Sequence, residues 1–337
     1  MNRNNYLRFL WATALTASLT VACSDNDTSL GDEPDVPEQP STPEPERVPI
    51  TFTTTVNTKG TELDNQSFAT FTVFALNDEG NYIEGMTNKG AVYTRTENTW
   101  KASTTGITWP TDGSAVHFYA ISGNEAKTGE GFDPANKTYR FVVDEDVNHM
   151  DDILVCYQPK QTQTSTDPAT GSVMLTFNHL TTALQFQVTN NLKAQIDIKN
   201  FELRNVAYIA LYAFADGTLT LDGSKTNYTL LNTTGASLSI PPGATKVVYG
   251  KNYPMDGTDH YLYVLPQTTT AWDKTTNAAN QTTGTYLYIK LRVDDQDADQ
   301  EIAIPVGATW KPHGNKLYTI RINATAIGLD GSSISLQ

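Results

Sequence analysis

Cysteine is almost absent from this chain: 337 residues hold only Cys23 and Cys156. Cys156 lies in the apolar run Ile153-Leu154-Val155-Cys156-Tyr157 and reads as a small buried core residue rather than a reactive thiol. No disulfide framework is available, so the fold must be held by its apolar cores. Positive charge is scarce too, with 23 Lys and Arg against 37 Asp and Glu and a net charge of −14. Residues 1–47 hold three of the basic and eight of the acidic residues, which leaves −9 on the rest. A body this acidic, without a basic patch, argues against nucleic acid as a partner and against charge-driven adhesion to anionic lipid. The five histidines (His117, His149, His179, His260 and His313) are scattered, with no HExxH pair and no cysteine near enough to make a zinc site. Asp294, Asp295, Asp297 and Asp299 have a superficial look of calcium ligands. However, Gln300 stands where a calcium loop needs glycine and Val306 where it needs its closing acid, so a solvated hairpin loop is the better reading. Nucleophile-elbow, Walker and dinucleotide glycine patterns are missing, and nothing singles out a glycosidase carboxylate pair. The sequence therefore predicts no enzyme, no metal and no cofactor.

Long hydrophobic runs are missing as well, save one near the start. Arg3 and Arg8 precede an apolar stretch from Phe9 to Ala22, too short to span a bilayer and laid out like a secretory signal, residues 1–22. Thr20-Val21-Ala22-Cys23 resembles a bacterial lipoprotein signal, in which the cysteine is lipidated and becomes the first residue. The pattern departs at Thr20, where Leu is usual, and an ordinary signal peptide with a chance cysteine is the alternative. Residues 23–47 interleave acidic side chains with Pro34, Pro37, Pro40, Pro43 and Pro45. Such a segment cannot bury enough apolar surface to offset its ordering entropy and is predicted to be an extended tether. Its Ser and acidic start resembles the surface-export signal of Bacteroidota lipoproteins.

Almost everything after Arg47 reads as strand. Val48, Ile50, Phe52, Thr54 and Val56 share one face of an alternating segment, Val48–Val56. Denser apolar runs follow at Phe68–Leu76, Val116–Ile121, Tyr139–Val143, Ile153–Tyr157, Val173–Phe177 and Ala183–Val188. Nine more runs lie between Phe201 and Asn323, parted by Gly, Asn, Asp and Thr clusters, and helical periodicity never lasts three turns. Many short strands with frequent turns predict an all-β protein of antiparallel sandwiches. The polar stretch Gln158–Gly171 reads as a loop, which divides the body into sandwiches over residues 48–165 and 166–337.

Several short blocks then resemble one family. Ile107-Thr108-Trp109-Pro110, Asp152-Ile153-Leu154-Val155 and Phe177-Asn178-His179-Leu180-Thr181-Thr182-Ala183-Leu184 are similar to blocks of the Bacteroidota fimbrillins. So are Leu265-Pro266-Gln267-Thr268 and Gly314-Asn315-Lys316-Leu317-Tyr318. The resemblance implies two transthyretin-like β-sandwich domains, lipoprotein export to the outer membrane and assembly into pili that contribute to adhesion. It also implies partners: other pilus subunits in a homo- or hetero-polymer, the outer membrane through the lipid, and a trypsin-like processing protease. In such proteins the protease removes the first strand, and the opened groove takes an extended strand from another subunit. Here Val48, Ile50, Phe52 and Val56 mark that strand. Lys59 stands where the family has Arg, and Arg47 is the fallback cut, which would free only the tether. Lys59 as a plain hairpin-turn residue is the competing reading. The donor would be the tail, residues 324–337, where Ile327 with Leu329 and Ile334 with Leu336 share faces. A terminal hairpin that pairs with its own domain is the alternative there. A second function stays open: a surface lipoprotein that binds glycan or another ligand without polymerising, using Trp100, Trp109, Trp272 or Trp310 as stacking platforms.

Overall fold

The alternating pattern folds, in a computed structural model, into β-strands throughout. The structure describes residues 47–57, 67–103, 106–122, 131–167, 171–233, 237–273, 283–294, 296–323 and 334–336, the last three by backbone alone. In chain order the first strands are β1 Phe52–Asn57, β2 Thr70–Leu76, β3 Ala91–Thr96, β4 Thr99–Ala102, β5 Val116–Ser122, β6 Phe132–Asp133, β7 Thr138–Val142, β8 Leu154–Gln161 and β9 Val173–His179. Next come β10 Thr182–Asn190, β11 Ile196–Ala207, β12 Ile209–Ala213, β13 Thr218–Leu221, β14 Lys225–Asn232, β15 Leu238–Ile240 and β16 Thr245–Tyr249. The last are β17 Leu262–Val264, β18 Gln267–Thr268, β19 Tyr286–Val293, β20 Gln300–Pro305, β21 Thr309–Trp310, β22 Asn315–Ile322 and β23 Ile334–Leu336.

Seven strands make the first sheet, in the order β1-β9-β8-β5-β2-β3-β4, antiparallel except that β1 runs parallel to β9. Its central strands are buried on both faces, which is why they read as dense apolar runs rather than clean alternation. Phe71, Val73 and Ala75 of β2 face one core with Val116, Phe118, Leu154 and Cys156. Phe74 and Leu76 face the other way, with Tyr119, Ile121 and Val155, against a small sheet ordered β13-β12-β7-β6. The second half forms a sandwich of two sheets, β16-β10-β22-β23 and β14-β11-β19-β20, closed on a core that includes Phe186, Phe201, Leu287 and Tyr318.

Two expectations meet a different arrangement. The break between residues 165 and 166 falls within the connectivity of the first sheet. β9 lies beyond it, yet Val173, Leu175 and Phe177 bury their alternating face in the first core. The chain crosses to the second sandwich after His179, while β12 returns to pair with β7. The loop expected over Gln158–Gly171 is shorter, because β8 runs on to Gln161. An irregular register puts three steps from Gln158 to Gln161 against two from Phe118 to Val116. Pro159 sits within that bulge, where a missing N–H costs no ladder bond.

Candidate functional site

The first strand is the feature on which the sequence reading turns, and its chemistry is apolar. Ile50, Phe52 and Val56 are buried and Val48 is half-buried against the same core. Phe52 supplies its aromatic part. Its ring meets Phe71, Tyr93 and Phe118 edge-on at centroid distances of 5.8, 4.9 and 5.4 Å, the arrangement that ring quadrupoles favour. Burial in the same cluster pushes the Tyr93 hydroxyl up to about 12.

Along one side β1 pairs residue for residue with β9, from Phe52 opposite Val173 to Asn57 opposite Asn178. Side chains extend that pairing: Asn57 Nδ2 donates to Asn178 Oδ1 at 2.8 Å, and the hydroxyls of Thr51 and Ser172 lie 2.8 Å apart. On its other side the lead-in is held by backbone. Ile50 N donates to Ile107 O and Trp109 N to Val48 O, both at 2.9 Å. Beyond these, the indole of Trp100 in β4 reaches the Thr54 hydroxyl at 3.1 Å. The two edge strands of the first sheet thus close over one core, and β1 is the piece that shuts it.

Arg47 pairs with Glu84 at 2.6 Å, both side chains exposed. Cys23, Lys59, Ile327 and Leu329 lie outside the described residues. Ile334 and Leu336 fall in β23, which runs antiparallel along β22, with Ile322 opposite Ile334 and Ile320 opposite Leu336. The described end of the tail is therefore paired within its own chain.

The structure also brings together residues that the sequence reading kept apart. Asp152 and His179 are both buried, and His179 Nδ1 lies 2.5 Å from Asp152 Oδ2. Thr181 donates its hydroxyl to the other carboxylate oxygen at 2.5 Å. Two of the sequence blocks thus meet in one polar cluster where the chain leaves the first sheet. Gln267 clamps a bend by donating to Ala207 O and Leu265 O while accepting from Ala207 N. The Asp-rich stretch joins β19 to β20 as a hairpin, and Asp299 faces Lys199 at 2.6 Å and Lys290 at 3.5 Å.

The tryptophan platforms are corrected. Trp109, Trp272 and Trp310 are buried, and Trp310 spends its indole N–H on Tyr318 Oη at 2.9 Å. Trp100 is half-buried with its N–H on Thr54. Their faces serve packing, and among them none offers an open stacking surface.

A family model described as fimbrillin-like matches residues 54–335. No curated protein matches the chain. Among solved structures, a fimbrial protein from Bacteroides vulgatus ATCC 8482 is similar with a TM-score of 0.57 and 19% identity, over 87% of this chain and 98% of that one. A candidate cell adhesion protein from Bacteroides uniformis ATCC 8492 is similar with a TM-score of 0.51 and 16% identity, over 86% and 96%. At such identities the two structures speak for a shared fold. The family match spans the first sheet, the second sandwich and the crossing between them, and by it this chain belongs to the fimbrillin-like family.

Proposed function

We propose that this protein is a structural subunit of a cell-surface fimbrium, exported as a lipoprotein on Cys23 and polymerised by strand exchange after proteolysis. Family membership supports the fimbrial role, and the fimbrial and adhesion descriptions of similar structures agree with it. The observation that carries the mechanism is β1. It is an edge strand, the first among the described residues, and it closes an apolar core through Phe52. A trypsin-like protease that cuts after Lys59 would release lipid, tether and β1 together. Loss of β1 would bare the edge of β9 and the rings of Phe71, Tyr93 and Phe118. Unpaired N–H and C=O groups beside an apolar slot recruit an extended segment by main-chain hydrogen bonds and side-chain fit. The tail of another subunit, with Ile327, Leu329, Ile334 and Leu336 alternating, would fill it. Cleavage at Arg47 would free only the tether and leave the core shut. In this reading the protein has no catalytic task.

The test is limited trypsin digestion of protein beginning at Ser24, with N-terminal sequencing, denaturing gels and electron microscopy. A new terminus at Gly60, together with ladders and fibres, is the expected result. Protein that stays uncut and monomeric removes the shaft role and leaves an anchored subunit.

A further inference from the structure

The second sandwich carries an open edge that the strand-exchange reading does not use. β14 is the outermost strand of its sheet, bonded to β11 on one side only. Among the described residues, no backbone hydrogen bond leaves Lys225–Asn232 on the other side. A cavity of about 530 Å³ lies along that side. It touches consecutive residues, Thr229, Leu230, Leu231, Asn232 and Thr233, of which Thr229 and Asn232 are exposed and the two leucines buried. Successive strand residues point to opposite faces, so a cavity over a face would meet one set of them. A β-bulge at Leu230 turns the strand locally, but contact with both sets still places the cavity at the strand's edge.

The opposite wall sets what can enter. It is built by the short turn at Val147–His149 and its lead-in, and by the loop that follows β16. These supply Glu145, Asp146 and Asp256, and the lining includes neither Lys nor Arg. Asp146 is engaged by Asn148 and His149, and Asp256 by His260 at 2.7 Å. Glu145 is exposed and carries no ion pair among the described residues. Tyr249, at the end of β16, ties the two parts of that wall together through its hydroxyl, 3.3 Å from Val147 O.

We propose that this groove is a docking site for an extended segment of another polypeptide bearing Lys or Arg, which adds to β14 as a further strand. Main-chain bonds to the free edge would supply affinity. The carboxylate wall would select cationic side chains at alternate positions and reject anionic ones. The groove is remote in sequence from β1 and needs no cleavage, so its fate is independent of the strand-exchange reading.

A fluorescein-labelled peptide of alternating Thr and Lys, eight residues long, tests this by anisotropy on the uncut chain, with amide shifts to locate it. The expected result is saturable binding with shifts over Thr226–Asn232. Glu145→Gln should weaken it at least threefold and Glu145→Gln with Asp146→Asn about tenfold, while thermal midpoints stay close to that of the parent. The same peptide with Glu for Lys, or N-methylated throughout, should bind at least tenfold more weakly. Equal binding of the N-methylated peptide overturns strand addition, and equal binding of the Glu peptide overturns the charge selection. Shifts confined to the first sheet, no binding at millimolar peptide, or self-association of the chain through β14 in its place would each overturn the proposal.

Discussion

Asp256 and Cys156 illustrate how one kind of property, acidity, is set by opposite causes. Asp256 lies exposed in the loop after β16 and accepts hydrogen bonds from the Thr258 backbone N–H, the Thr258 hydroxyl and the His260 ring. Those donors favour the charged form, and the Thr258 amide leads in holding the carboxyl at about 2 against an ordinary 3.8. A depressed acid pKa means that its contribution to the loop is complete above about pH 4 and is lost as pH falls through about 2. Carboxyl chemical shifts of Asp256 should therefore titrate near 2, and Asp256→Asn should abolish the matching shift of the His260 signals. At Cys156 burial dominates, pushing the thiol up to about 12. The thiolate is the nucleophile, so native protein beginning at Ser24, whose one cysteine is Cys156, should resist iodoacetamide at pH 8 and take up label only after unfolding. Rapid labelling of the folded chain would contradict the packing described for β8. The Asp152–His179–Thr181 cluster belongs to the same scale. Asp152→Ala removes the carboxylate that both a buried imidazole and a buried hydroxyl engage, and a loss of about 3–5 kcal/mol in chemical denaturation is expected.

At the scale of elements, Phe52 decides how firmly β1 is held. Truncation to Ala removes a ring that touches three others and leaves a hole the surrounding rings cannot close. Phe52→Ala should cost about 3–5 kcal/mol and lower the thermal midpoint accordingly. Thr53→Ser, on the same strand, should cost far less. The strand was legible because its face alternates, and so were β5, β8 and β19, whose apolar runs stand out from polar turns. β3 and β14 were not. Their sequences, AVYTRT and KTNYTLLN, carry exposed Thr, Lys and Asn and a half-buried Arg on edge or near-edge strands, where one side meets water and composition resembles a turn. The place of β9 was also hidden, because local pattern says that a segment is a strand without saying which sheet it joins. Gly284 shows a third kind of silence. It adopts φ +78°, and an added Cβ would stand 2.4 Å from Trp272 Cα. Sequence gave a glycine among turns, while the structure makes it the point where two backbones touch.

For the whole molecule, the question is whether the tail has two places to go. Its described end runs along β22, so as donor it would have to leave that edge, and the exchange is a competition between two strand sites. In the proposed exchange the slot left by β1 would offer the larger gain, because it would bury side chains among Phe71, Tyr93 and Phe118, whereas β23 lies at the margin of its sheet. Apolar burial of a single large side chain stabilises by roughly 1.5–3 kcal/mol, enough for a few alternating residues to outweigh one edge ladder. If the tail is the donor proposed above, it is dispensable for folding and necessary for assembly. A chain ending at Asn323 should retain the strand-rich spectrum and most of its thermal stability, and after trypsin it should form no ladder by itself. Added to cut full-length protein, it should still accept a donor and yet offer none, so it should cap fibres and shorten them in proportion to its fraction. Fibres of unchanged length in that mixture would show that the donor lies elsewhere in the chain. A truncated chain that polymerises alone would show the same.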